Sequence, residues 1–169
     1  MIIDPTSPCA LHIVLLDNMD EESTKRLRAD AERIYGSPWA MKLRDFFACM
    51  ERDFACIGVS KENYASMTVR QYVWLKDYYE CEEQVANLLK AWQIPQSSEA
   101  QKASAKCLKM TPKEGAIVFT RRYFGLTNFD AAMEVPLSDF IVAKKDEFNG
   151  AIFQYSMNEI QKQKLKTKR

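Results

Sequence analysis

From Thr68 to about Trp92, apolar residues recur at alternating spacings of four and three: Trp74, Tyr78, Cys81, Val85, Leu88 and Trp92. Tyr72, Leu75, Tyr79, Ala86 and Leu89 form a second stripe beside them. Two adjacent stripes make an apolar sector wider than a surface helix shows, which predicts the central helix of the fold. Its start is marked by Thr68-Val69-Arg70-Gln71, a capping box, with Met67 placed to staple onto Tyr72. A second long helix is predicted from Leu137-Ser138, with Leu137 stapling to Val142 and with Ile141, Phe148, Ile152 and Tyr155 on one face. Beyond Ile160 the stripe fades into Gln161-Lys162-Gln163-Lys164-Leu165-Lys166, so the helix end projects into solvent or against something else.

The remaining pattern gives shorter elements. Asn18 as cap, with Glu21 three residues on, opens a helix that Gly36 stops. Ser37-Pro38 starts the next, whose apolar face is Trp39, Leu43, Phe46, Phe47 and Met50. Thr111-Pro112-Lys113-Glu114 is another capping box and launches Ala116 to Phe124; the run Ile117-Val118-Phe119-Thr120 also suits a strand, but the specific start signal favours helix. Gly125 ends that element, and a short helix or turn follows around Asn128-Phe129-Asp130. Residues 1–10, with two prolines and no periodicity, read as an extended arm of the kind that docks on neighbours. Leu11 to Leu16 is a short apolar run that periodicity leaves between strand and helix, with strand favoured. Residues 95–109 read as a polar linker or exposed helix, and residues 160–169 as a basic tail. The fold predicted is mainly α: one domain over residues 1–169, an irregular helical bundle with an N-terminal arm, a short strand near 11–16 and a long C-terminal helix.

Composition supports that class. In 169 residues, 47% hydrophobic and 28% charged, there are only 5 Gly and 6 Pro, too few turn formers for a sandwich or barrel. The five cysteines are odd in number and widely spread, which reads as free thiols in a reducing compartment. No early segment resembles a signal peptide and no apolar run is long enough to span a bilayer. The expected location is therefore cytoplasmic, in a cell or in whatever infects one, not secreted and not membrane-bound. Net charge is +1, but Glu159 to Arg169 holds five basic residues against one acid, a local +4 that leaves about −3 for the rest.

No residue pattern supplies recognisable catalysis, and no cofactor or metal is implied. His12, the single histidine, sits between Leu11 and Ile13 and reads as structural. The closest cysteines, Cys49 and Cys56, are two helical turns apart, about 10 Å by helix rise, so core packing is favoured over ligation. Asp77, Glu80, Glu82 and Glu83 read as a solvated helix face, though carboxylate chemistry on that face would be the route to an enzyme. Phosphate-cradling glycine motifs are absent. The candidate anion or partner contacts are Lys162, Lys164, Lys166, Lys168 and Arg169, where phosphate contacts would release counterions. Arg121 and Arg122 stand beside Tyr123 and Phe124 and are a second candidate, with aromatic packing and surface ion pairs as the preferred reading.

Three segments carry a resemblance: Met67-Thr68-Val69-Arg70-Gln71-Tyr72-Val73-Trp74-Leu75, Tyr123-Phe124-Gly125-Leu126, and Val135-Pro136-Leu137-Ser138-Asp139-Phe140. With the helices placed around them, the chain resembles small helical virion and assembly proteins of tailed bacteriophages, such as head-to-tail adaptors and tail assembly chaperones. The resemblance implies an oligomeric role and transfers no functional residue. Residue pattern and resemblance together predict a non-enzymatic structural or assembly protein, with copies of itself or other assembly proteins as partners. The alternative is a helical protein that binds nucleic acid through its basic end.

Overall fold

The computed structural model describes residues 3–16, 18–60, 62–93 and 107–167. Its α-helices are α1 (Ile13–Leu16), α2 (Glu21–Tyr35), α3 (Leu43–Met50), α4 (Val69–Ala91), α5 (Pro112–Phe124), α6 (Phe129–Met133) and α7 (Leu137–Thr167), with 3-10 turns at Cys9–Leu11, Pro38–Ala40, Ala55–Ile57 and Tyr64–Ser66. The fold is mainly α. Among the described residues extended backbones pair only at isolated antiparallel bridges, Pro8 with Thr68, Lys42 with Pro136 and Phe54 with Val59. The strand favoured at 11–16 is not formed: the 3-10 turn leads into α1, and Leu16 N–H donates to His12 O at 2.8 Å. A strand needs a neighbour to satisfy its edge, whereas this backbone closes on itself. The chain groups into two compact units, Met1–Gln84 with Met133–Ser138, and Val85–Ala132 with Asp139–Arg169.

In the first unit, α2 is capped by Asp20 rather than Asn18; one Asp20 carboxylate oxygen accepts the Ser23 N–H at 2.8 Å, and the helix ends at Gly36, as its sequence predicts. The single helix expected from Ser37 splits into the Pro38–Ala40 turn and α3, and Ser37 makes no side-chain cap. The reason is tertiary. Met41 is extended and its carbonyl accepts from Leu137 N–H at 2.8 Å, while Leu43 N–H donates to Val135 O at 2.9 Å. Leu43, Phe46 and Phe47 are buried as expected, but Met50 is exposed.

The first turns of α4 form the centre of this core. Val69, Trp74, Leu75, Tyr78 and Cys81 are buried, and the Trp74 and Tyr78 rings stack with centroids 5.9 Å apart. The predicted capping box is present, Thr68 N–H donating to the Gln71 side-chain oxygen at 2.8 Å. The N-terminal arm docks on its own chain: Val69 N–H donates to Ser7 O and Arg70 N–H to Pro5 O, both at 2.9 Å. Two of the four N–H groups that any helix start leaves unpaired are thus taken by main chain from the far end of the sequence. Further along, the second stripe loses its cover, and Tyr79, Ala86 and Leu89 are exposed.

In the second unit, α5 is helical rather than extended. Thr111 and Glu114 form the reciprocal capping box, and Gly125 closes the helix in the left-handed conformation. Asn128 caps α6 by accepting Ala131 N–H at 2.7 Å. α5 packs on α7 through Phe119 against Phe140, rings edge to face at 5.7 Å, with the Lys144 ammonium 3.6 Å from the Phe119 centroid. The buried face of α7 is Phe140 and Ala143, one position off the predicted stripe; Ile141, Phe148 and Ile152 are half-buried and Tyr155 is exposed. The staple from Leu137 to Val142 is not made, because Leu137 is fully buried and Val142 points to solvent. Of the predicted polar stretch at 95–109, residues 95–106 lie outside the described residues; Cys107, Leu108 and Lys109 are exposed and non-helical.

Candidate functional site

Among the described residues, α7 holds six exposed large hydrophobic side chains, Val142, Phe153, Tyr155, Met157, Ile160 and Leu165. At about 1.5 Å per residue its 31 residues span about 46 Å, yet no residue after Ala143 is buried among those described. Phe153, Met157 and Ile160 are 61%, 39% and 45% exposed. Their spacings of four and three place them within about 60° of one another around the helix, a short seam of the kind that pairs helices. In heptad register the flanking positions are Gln154, Ser156, Gln161 and Gln163, none of them charged. Tyr155 and Leu165 are exposed on other faces. Polar helices normally project alone; an apolar seam on one is a surface that needs explaining.

Of the predicted basic contacts, those described lie on two elements, Arg121 and Arg122 on α5 and Lys162 and Lys164 on α7. Lys162 and Lys164 are exposed on the last turns of α7, and Lys162 pairs with Glu159 at 3.0 Å, a hydrogen bond that raises the Lys162 pKa. Lys166 is within the helix, but its side chain, and Lys168 and Arg169 entirely, fall outside the described residues. Arg121 turns onto its own unit: its guanidinium carbon is 4.4 Å from the Phe129 ring centroid and one terminal nitrogen donates to Thr127 O at 3.4 Å. Arg122 reaches Glu147 at 3.3 Å, and Tyr123 O–H donates to Asp146 at 2.7 Å. The ion-pair half of the preferred reading for this segment therefore holds for Arg122 but is not shown for Arg121, while its packing half does not, since Tyr123 and Phe124 are both about two-fifths exposed.

Three of the four acids of α4 are engaged. Arg28 lies 2.9 Å from both Asp77 and Glu80, and Arg52 lies 3.6 Å from Glu82. The Arg28–Asp77 approach is close but is not aligned as a hydrogen bond, and burial pushes the Asp77 carboxyl above its ordinary range. No group of three or more His, Cys, Asp or Glu side chains among the described residues is placed to hold a metal ion. His12 Nδ1 is buried without a hydrogen-bond partner among the described residues.

Two features escape a linear reading. One is an apolar cavity of about 540 Å³ beside the start of α4, lined by Cys9, Tyr64, Met67, Tyr72, Leu75 and Tyr79 among others. The other is the thiol pair. Cys49 and Cys56 were expected about 10 Å apart on one helix, but α3 ends at Met50 and the chain reverses, bringing the two sulfurs to 3.5 Å. The reversal is built from Arg52 in the left-handed conformation (φ 65°), Asp53 accepting Ala55 N–H at 3.1 Å, and Gly58 closing the 3-10 turn at φ 72°. Asp53 and Gly58 are the turn signals that mark it in the sequence.

Set against known proteins, the chain matches no family model, no curated protein and no solved structure. No helix among the described residues is long and apolar enough to cross a membrane.

Proposed function

We propose that the protein is a non-enzymatic assembly subunit that acts by helix pairing through the outer half of α7, a second copy of the chain being its first partner. The observation that carries this is the exposed seam of Phe153, Met157 and Ile160 with uncharged flanks. Neutral flanking positions let two identical helices approach without like-charge repulsion, whereas a hetero-specific seam is usually edged by complementary charges. Three of the four carboxylates of α4, Asp77, Glu80 and Glu82, lie beside Arg28 or Arg52. The finer reading, a virion or assembly component of a tailed phage with a cytoplasmic or virion location, rests on the resemblance of the three segments named above.

Light scattering on a sizing column, run over a wide concentration range with absorbance at 260 and 280 nm, tests the reading. The expected result is a mass that rises with concentration and returns to that of a monomer when Phe153 and Ile160 are both changed to Ser, substitutions at exposed sites that leave the fold intact. A monomer at all concentrations sinks self-pairing. Co-eluting nucleic acid, released by high salt, transfers the function to the basic end instead.

A further inference from the structure

Cys49 and Cys56 differ in every respect that matters for thiol chemistry except position. Cys49 is fully buried on the last turn of α3, whereas Cys56 is exposed on the Ala55–Ile57 turn. Their sulfurs are 3.5 Å apart, and a covalent bond between them needs a closure of only about 1.5 Å. The segment that brings Cys56 back is firmly held. Phe54, Ile57 and Val59 are buried around it, Asp53 N–H donates to Ala48 O at 2.9 Å, and Gln71 on α4 donates to Ile57 O at 2.9 Å. This is a fixed approach of two thiols, one open to solvent and the other behind it.

We propose that Cys49 and Cys56 form a redox-active dithiol that exchanges with low-molecular-weight disulfides, Cys56 attacking first and Cys49 resolving. In the first step the Cys56 sulfur attacks one sulfur of the external disulfide; its S–S bond breaks, a mixed disulfide forms at Cys56 and one small thiolate leaves. In the second step Cys49 loses its proton to solvent and its sulfur attacks Cys56 Sγ, expelling the second thiolate. The protein loses two electrons and two protons, and the external disulfide gains them as two thiols.

The order of events follows from the surroundings. The hydrogen bond from the Cys49 thiol lowers the pKa of Cys56, while that same bond and burial raise Cys49 far above a free thiol. Asp45 on α3 and Asp53 in the reversal face both sulfurs and raise both, and Tyr78 on α4 lies beside Cys49. Of the two, Cys56 combines exposure with a stabilised thiolate, so attack starts there.

The test treats the full-length protein with oxidised glutathione, quenches with an alkylating agent at intervals and maps each cysteine by mass spectrometry. Cys107, also exposed, is the internal reference. The expected result is joint loss of alkylation at Cys49 and Cys56, with one intramolecular disulfide between them and restoration of both by reduced glutathione. In Cys49→Ser the mixed disulfide at Cys56 should persist; in Cys56→Ser, an exposed and conservative change, Cys49 should stay reduced. A wild-type protein that accumulates glutathione on Cys56 and leaves Cys49 free overturns the proposal, as does a Cys56 that reacts no faster than Cys107.

Discussion

The indole N–H of Trp74 donates to the main-chain oxygen of Gly36 at 2.8 Å, tying the second turn of α4 to the residue that ends α2. Trp74 is buried, and its ring also stacks on Tyr78. Trp74→Phe keeps most of the ring and deletes the donor. The expected loss is about 1–2 kcal/mol, seen as a lower urea midpoint with an unchanged slope.

Gly36 and Gly125 both end helices at positive φ, and an added Cβ meets nothing within 4 Å at either, so substitution there reports backbone strain alone. They are not equivalent. Gly125 (φ 64°, ψ 31°) is in the left-handed helical region, which other residues enter for about 1–2 kcal/mol. Gly36 (φ 79°, ψ 166°) occupies a region essentially reserved for glycine, at about 1–3 kcal/mol. Gly36→Ala should therefore destabilise more than Gly125→Ala in parallel thermal melts; equal losses would contradict the assignment.

Asp30 accepts a hydrogen bond from Arg70 at 2.6 Å and pairs with Arg33, and these partners, Arg70 foremost, hold its pKa below the ordinary 3.8. A carboxylate depressed in the folded state adds stability that is complete above its unfolded pKa and is lost as pH falls through the folded one. Asp30→Asn should thus be less stable than the wild type at neutral pH, with the gap narrowing only below about pH 4. Denaturation curves across pH 2–7 check it; a gap that is flat across that range would mean the pair contributes through shape rather than charge.

Two helix starts were legible from a capping side chain three residues from the group it satisfies, at Thr68 with Gln71 and at Thr111 with Glu114. The same local grammar misplaced the cap of α2 by two residues, since Asn18 and Asp20 offer equivalent chemistry and only geometry chooses. What the residue pattern could not show were long-range backbone bonds. Met41 stays extended because Leu137 donates to it, and that partner is nearly a hundred residues away. The thiol pair was hidden for a related reason: a seven-residue spacing means about 10 Å on a continuous helix, and only the chain reversal after Met50 cancels that distance. Of the basic residues proposed as contacts, Arg121 lies over the Phe129 ring and Arg122 pairs with Glu147 at the surface, while the seam of Phe153, Met157 and Ile160 lies off the α7 stripe read from the sequence.

The carbonyls of Pro5 and Ser7 complete the first turn of a helix that begins more than sixty residues later. During synthesis these caps are made long before the N–H groups they serve, and joining them closes a loop whose entropy must be offset by the packing of Trp74 and Tyr78. The start of α4 should accordingly be a late event in folding. A bulky fusion placed ahead of the Pro5 and Ser7 carbonyls would then slow maturation of the core.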